Sequence, residues 1–149
     1  MTKMIHDFIK KFTDEEIGQM VKIRDSYYLV NEELVKMIGQ IKENPQQIGV
    51  YLGEDDKPSL ALIDILSKKS DRKLVVDDKG EFLFICGRDL MGQSIKKSNV
   101  KEGLVLVQNV YDENLGYGRI IGELNQKDTI VVKNLLDRGD FLRREMKKR

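Results

Sequence analysis

GLVLVQNVYDENLGYGRIIG, residues 103–122, carries two apolar runs on either side of a polar stretch. Leu104 to Asn109 and Gly116 to Ile121 read as strands, because turn-forming residues bound short runs rich in branched aliphatic side chains. Phe82 to Ile85 upstream and Thr129 to Lys133 downstream have the same character. The second half of the chain is therefore expected to be a small β-barrel-like unit, with a short helix around Asp89 to Gly92.

Ahead of it, Asp77-Asp78-Lys79-Gly80 is a polar, turn-forming cluster between apolar runs, and it predicts a boundary between domains at 1–78 and 79–149. The first half mixes periods. Ile5, Phe8, Ile9 and Phe12 share one helical face. Met20 to Arg24 and Tyr27 to Val30 read as a hairpin around Asp25-Ser26, although Thr13 and Glu16 could also open a helix. Asn31 can cap a helix whose stripe is Leu34, Met37, Ile38 and Ile41, ended by Asn44-Pro45. Ile48 to Gly53, Leu60 to Ile63 and Lys73 to Val76 read as strands, and Asp64 to Ser70 as a short helix. The expected fold class is α+β: a small N-terminal α/β domain with a mainly antiparallel sheet, then a β pseudo-barrel with a C-terminal helix.

A chain of 149 residues with 34% charged and 40% hydrophobic side chains can bury a core without staples. Its one cysteine, Cys86, fits a reducing compartment and is expected to be a buried packing residue after the Phe82–Ile85 run. No apolar run approaches the ~20 residues of a membrane span. The start, MTKMIHDFIKKF, is too interrupted by charge for a secretory signal. A cytoplasmic protein without membrane association is expected.

The near-neutral net charge of +1 hides a local excess. The last twelve residues hold Arg138, Arg143, Arg144, Lys147, Lys148 and Arg149 against Asp140 and Glu145. As a helix opening at Asp140, this segment puts Leu142 and Met146 on one side and Arg143, Arg144, Lys147 and Lys148 on another. Such an arc suits a phosphate backbone, since each neutralised phosphate releases counterions. A solvated tail reads equally well. Leu115-Gly116-Tyr117-Gly118-Arg119 alternates glycine with larger residues, which admits a close backbone approach by RNA, or more simply a bulge or barrel corner. Arg88, Lys96 and Lys97 could extend a basic surface or serve only solubility. Lys68, Lys69, Arg72 and Lys73 form a further cluster blunted by nearby Asp64, Asp71, Asp77 and Asp78.

Little points to catalysis. The single His6 and Cys86 are far apart in sequence, no Cys/His cluster is available for zinc, and Gly-x-Gly-x-x-Gly and phosphate-loop spacings are missing. No cofactor and no metal are expected.

GEFLFICGRDLMGQSI (80–95), residues 103–122 and DTIVVKNLLDRGDFLRRE (128–145) resemble a PUA domain, a small RNA-binding pseudo-barrel of RNA-modifying enzymes and ribosome-assembly factors. With SYYLVNEELVKM (26–37), GVYLG (49–53), SLALIDIL (59–66) and KLVV (73–76) added, the chain resembles the Nip-seven family of ribosome-biogenesis proteins, in a short, archaeal form. That resemblance implies a non-enzymatic factor in pre-rRNA processing and large-subunit assembly. Its partners would be RNA, through the PUA domain, and other assembly proteins, through the N-terminal domain. It assigns RNA contact to Arg143, Arg144 and Lys147, extended by Lys148 and Arg149, with Arg119 in the matching LGYGR strand. Arg88, flanking the short helix expected after the Phe82–Ile85 strand, is added to these RNA-binding candidates from its charge alone. Tyr117 and Phe141 are possible base platforms. Replacing Arg143, Arg144 and Lys147 by Ala is expected to leave folding intact and to weaken RNA binding.

Overall fold

The computed structural model describes residues 3–40, 49–140 and 143. It divides into two compact units between Lys69 and Ser70, ahead of the boundary expected at 78/79.

In the first unit, helix α1 (Lys3–Lys10) buries Ile5 and Ile9, and Phe12 follows them just beyond its end. Strands β1 (Gln19–Ile23) and β2 (Ser26–Val30) pair in register from Gln19↔Val30 to Ile23↔Ser26. The tight turn is therefore Arg24-Asp25, one residue earlier than expected, with Arg24 at φ 57°. Helix α2 (Glu32–Gln40) begins as its sequence predicts: Asn31 Oδ1 accepts from Leu34 N at 2.9 Å. Its expected end at Asn44-Pro45 lies outside the described residues. Strands β3 (Val50–Glu54) and β4 (Lys57–Pro58) complete an antiparallel sheet of order β1-β2-β3-β4.

Leu60 to Ile63 is not a strand. It opens helix α3 (Leu60–Lys69), which packs on β3. Ser59 caps that helix, accepting from Leu62 N at Oγ (3.1 Å) and from Ile63 N at its carbonyl (3.2 Å). The buried residues Leu62, Ile63 and Leu66 follow helical spacing, which the unbroken apolar run conceals.

The second unit is a curled six-stranded sheet of order β6-β10-β9-β8-β5-β7. Its strands are β5 (Lys73–Val76), β6 (Leu90–Met91), β7 (Ile95–Ser98), β8 (Gly103–Gln108), β9 (Asn114–Ile120) and β10 (Ile130–Asp137). Every pairing is antiparallel except β5 with β8. Because β5 is hydrogen-bonded to both β7 and β8, Lys73 to Val76 belongs to this unit, which moves the division upstream of the Asp77 cluster. Leu74, Val76, Val105, Val107, Ile120 and Val132 line its core.

Phe82 to Ile85 is likewise helical. The Asp77–Gly80 cluster is the start of helix α4 (Asp78–Ile85) and not a linker. Asp77 Oδ1 accepts from Gly80 N at 2.7 Å and the Asp77 carbonyl from Glu81 N at 2.8 Å. Phe84 is fully buried in the core, a contribution of about 1.5–3 kcal/mol, whereas Phe82 is 63% exposed. The helix stops at Gly87, φ +89°, with Gly87 N bonded to Phe84 O and Arg88 N to Leu83 O. That bond pair is a Schellman cap. Cys86, expected to be buried, is the exposed last residue before this cap. The short helix expected at Asp89 to Gly92 is replaced by β6 and a 3-10 turn, Gly92–Ser94. At the chain's end Asp140 and Arg143 have helical backbone, and Arg143 N bonds to Gly139 O at 3.1 Å. The rest of the expected terminal helix, 141–142 and 144–149, lies outside the described residues.

Candidate nucleic-acid interface

The LGYGR motif forms most of β9, between β8 and β10. Its glycines serve the neighbouring strand. A Cβ on Gly116, whose φ is +148°, would lie 1.9 Å from Leu136 O, and one on Gly118 would lie 2.5 Å from Lys133 O. Register slips between Asn134 and Leu136, so β10 bulges where it crosses these residues. The close backbone approach is therefore protein against protein. Tyr117 between them is buried, and burial pushes its phenol above the ordinary range. That removes it as a base platform. Phe141 lies outside the described residues.

Arg119 stands opposite Lys133 across the β9–β10 pair, and both are exposed. Directly opposed residues share one face of a sheet, with Cβ atoms typically about 5 Å apart. Lys133 carries no signal of its own in the sequence; only the register of β10 brings it beside Arg119. The next residue, Asn134, ties in the loop after α4. Its side-chain amide donates to Phe84 O (2.9 Å) and Arg88 O (3.3 Å), and its backbone N–H donates to Asp89 Oδ1 (2.8 Å). Exposed Arg88 lies in that loop, with its backbone carbonyl fixed by Asn134.

Arg143 has a different position from the one its basic arc implies. Its Nη1 donates to Asp137 Oδ1 (3.0 Å) and Ile85 O (2.7 Å), and its Nη2 to Asp137 Oδ2 (2.9 Å). Asp140 is a further 3.8 Å ion partner. The Asp137 side chain is only 3% exposed. These bonds, the hydrogen bonds to Asp137 foremost, raise the guanidinium's already high affinity for its proton. Asp137 Oδ1 also accepts from Gly139 N at 2.8 Å. A Cβ on Gly139 would sit 1.8 Å from Ile85 O. The Asp-Arg-Gly-Asp run with Arg143 is thus a clasp that fastens the end of β10 to the C-terminus of α4. These contacts argue against the expectation that replacing Arg143 together with Arg144 and Lys147 leaves folding intact. Arg144, Lys147, Lys148 and Arg149 lie outside the described residues.

The other basic cluster is also partly committed. Arg72 donates to Leu104 O (2.9 Å) and Glu102 O (2.6 Å), and Lys69 pairs with Glu15 at 3.4 Å. Among the described residues no three His, Cys, Asp or Glu side chains converge, and no helix is long and apolar enough to cross a membrane.

The curled sheet, the helix capped against it and the LGYGR strand define a PUA-domain protein. A family model described as the UPF0113 PUA domain matches residues 72–146. The chain belongs to the UPF0113 family. A UPF0113 protein of Archaeoglobus fulgidus is 34% identical over 128 residues, 79% of this chain and 72% of that one. A conserved PUA-domain protein from Thermoplasma acidophilum superposes with a TM-score of 0.58 at 16% identity, over 97% of this chain and 93% of the other. A hypothetical protein of the hyperthermophilic archaeon Pyrococcus horikoshii OT3 gives a TM-score of 0.52 at 18% identity, over 92% and 91%. At these identities the two structures speak to the fold alone.

Proposed function

We propose that this protein is an RNA-binding factor of ribosome biogenesis, acting without catalysis in pre-rRNA processing and large-subunit assembly. The observation that carries the RNA reading is a PUA domain with the exposed Arg119–Lys133 pair on the face of its β9–β10 ladder. Exposed Arg88, in the loop after α4, is a further candidate contact. Arg144, Lys147, Lys148 and Arg149 would add to it, and Arg143 would contribute by holding the segment that bears them. Cations of this kind position a phosphate backbone and carry little sequence information by themselves. Support for the ribosomal assignment is the resemblance of both halves to the Nip-seven family. In that reading the protein is archaeal and cytoplasmic and needs no cofactor.

Crosslinking in cells followed by sequencing of the attached RNA tests the assignment. Enrichment in large-subunit ribosomal RNA is expected, and scatter across other transcripts would redirect it. In vitro, replacing Arg119 and Lys133 by Ala should flatten the dependence of log K on log salt by about 0.7 per cation for a single strand.

A protein-contact role for the first unit is favoured by Met37, Val50 and Tyr51, which are 53%, 43% and 39% exposed. Ribosome-assembly proteins are the partners proposed for it.

A further inference from the structure

The β7 edge of the second unit's sheet lies across the strand order from β10, and it combines features that the Arg119 surface does not explain. The turn between β8 and β9 places Val110 and Tyr111 outside, 45% and 76% exposed. Tyr111 is the most exposed large apolar side chain among the described residues.

The turn holding it is rigid for a chemical reason. Asn109, itself buried, accepts at Oδ1 from Tyr111 N (2.9 Å) and Glu113 N (3.0 Å). Its amide donates to both Glu81 oxygens at 3.2 Å and to Glu113 Oε1 at 3.0 Å. The two nearby glutamates are thus engaged by an amide. Tyr111 is presented by a braced backbone, so little turn flexibility is lost when something binds it.

Beside Tyr111 runs a groove of about 470 Å³ whose lining includes Lys96, Lys97, Asn109 and Asp112. Lys96 and Lys97 also line a second groove of about 730 Å³, which adds Lys101 and Glu123. The two grooves meet along β7. Lysines on an edge strand commonly block pairing with another chain. That role needs no aromatic ring beside them.

We infer that this edge is a second RNA contact, specific for single strands: an unpaired base stacks on Tyr111 while adjoining phosphates follow Lys97, Lys96 and Lys101. Stacking on a tyrosine requires a base free of its duplex, whereas cations alone accept either form. The inference rests on the RNA-binding reading above and specifies a second surface for it.

Full-length protein titrated with a short, unstructured, fluorescent RNA tests it by anisotropy. Tyr111→Ala should weaken binding about tenfold with the salt slope unchanged, and Tyr111→Phe should retain affinity. Lys96→Ala with Lys97→Ala should flatten the slope by about 1.4. If these variants bind like the parent while Arg119→Ala with Lys133→Ala does not, the second contact is refuted and the RNA reading survives. The contact is refuted in the same way if Tyr111→Ala disturbs only a protein partner. A parent protein that binds no RNA would overturn the functional reading itself, and this contact with it.

Discussion

Arg143 illustrates how far one side chain's role depends on its partner. Its guanidinium satisfies both oxygens of a nearly buried carboxylate and the last carbonyl of α4. Removing it leaves Asp137 charged, buried and without that ion pair, which typically costs about 3–5 kcal/mol. Arg143 keeps a 37% exposed side chain, so the low end, about 3 kcal/mol, is expected for Arg143→Ala in urea unfolding. Lys at this position should recover only part, because a single ammonium cannot reproduce the two-pronged geometry. An Arg143→Ala protein with an unchanged unfolding midpoint and weaker RNA binding would return the residue to the interface.

The strand β9 owes its place to two glycines, and its partner β10 owes its bulge to their absent side chains. Gly116→Ala must displace the Leu136 carbonyl, a backbone atom with nowhere to go without breaking the ladder. We expect destabilisation of about 1–3 kcal/mol, read from denaturant melts. Full stability with lost RNA affinity would mean that the gap serves RNA. Helix α4 shows the same dependence on local chemistry at its other end. Asp77→Ala should cost about 1 kcal/mol, because Gly80 N loses its acceptor, and Asp77→Asn should restore most of it. Equal stability of the three proteins would refute the cap.

Across the whole molecule, each unit contains a buried phenol. Burial raises Tyr27 in the first, reinforced by its hydrogen bond to Asp55, and burial raises Tyr117 in the second. An unfolded tyrosine releases its proton near pH 10, while these two hold theirs in the native state. Unfolding therefore releases protons above that pH, and the stability they contribute is complete below about pH 10 and lost as pH rises beyond it. Thermal midpoints should fall over that range together with a delayed rise in tyrosinate absorbance. Tyrosinate absorbance that rises fully near pH 10 in the folded protein would contradict the burial of both.

Much of the strand content is legible in the sequence because alternation and turn residues are local signals. Lys73 to Val76 is a strand as expected, and the elements over 104–109, 116–121 and 129–133 lie within a residue or two of β8, β9 and the first part of β10. The two apolar runs that form α3 and α4 pass for strands for one reason. Continuous apolar sequence has no period of its own, and Ser59 and Asp77 decide the outcome by capping backbone N–H groups. The exposed Arg119 is visible in sequence. Its neighbour Lys133, the commitment of Arg143 to Asp137 and the burial of Tyr117 are not, since each is set by pairing between segments distant along the chain or by a fold-closing contact. Sequence by itself determined where charge and apolar groups lie along the chain. Tertiary structure alone decided which charges face solvent and which are consumed in holding the fold, because desolvation and hydrogen-bond geometry exist only once the strands are side by side.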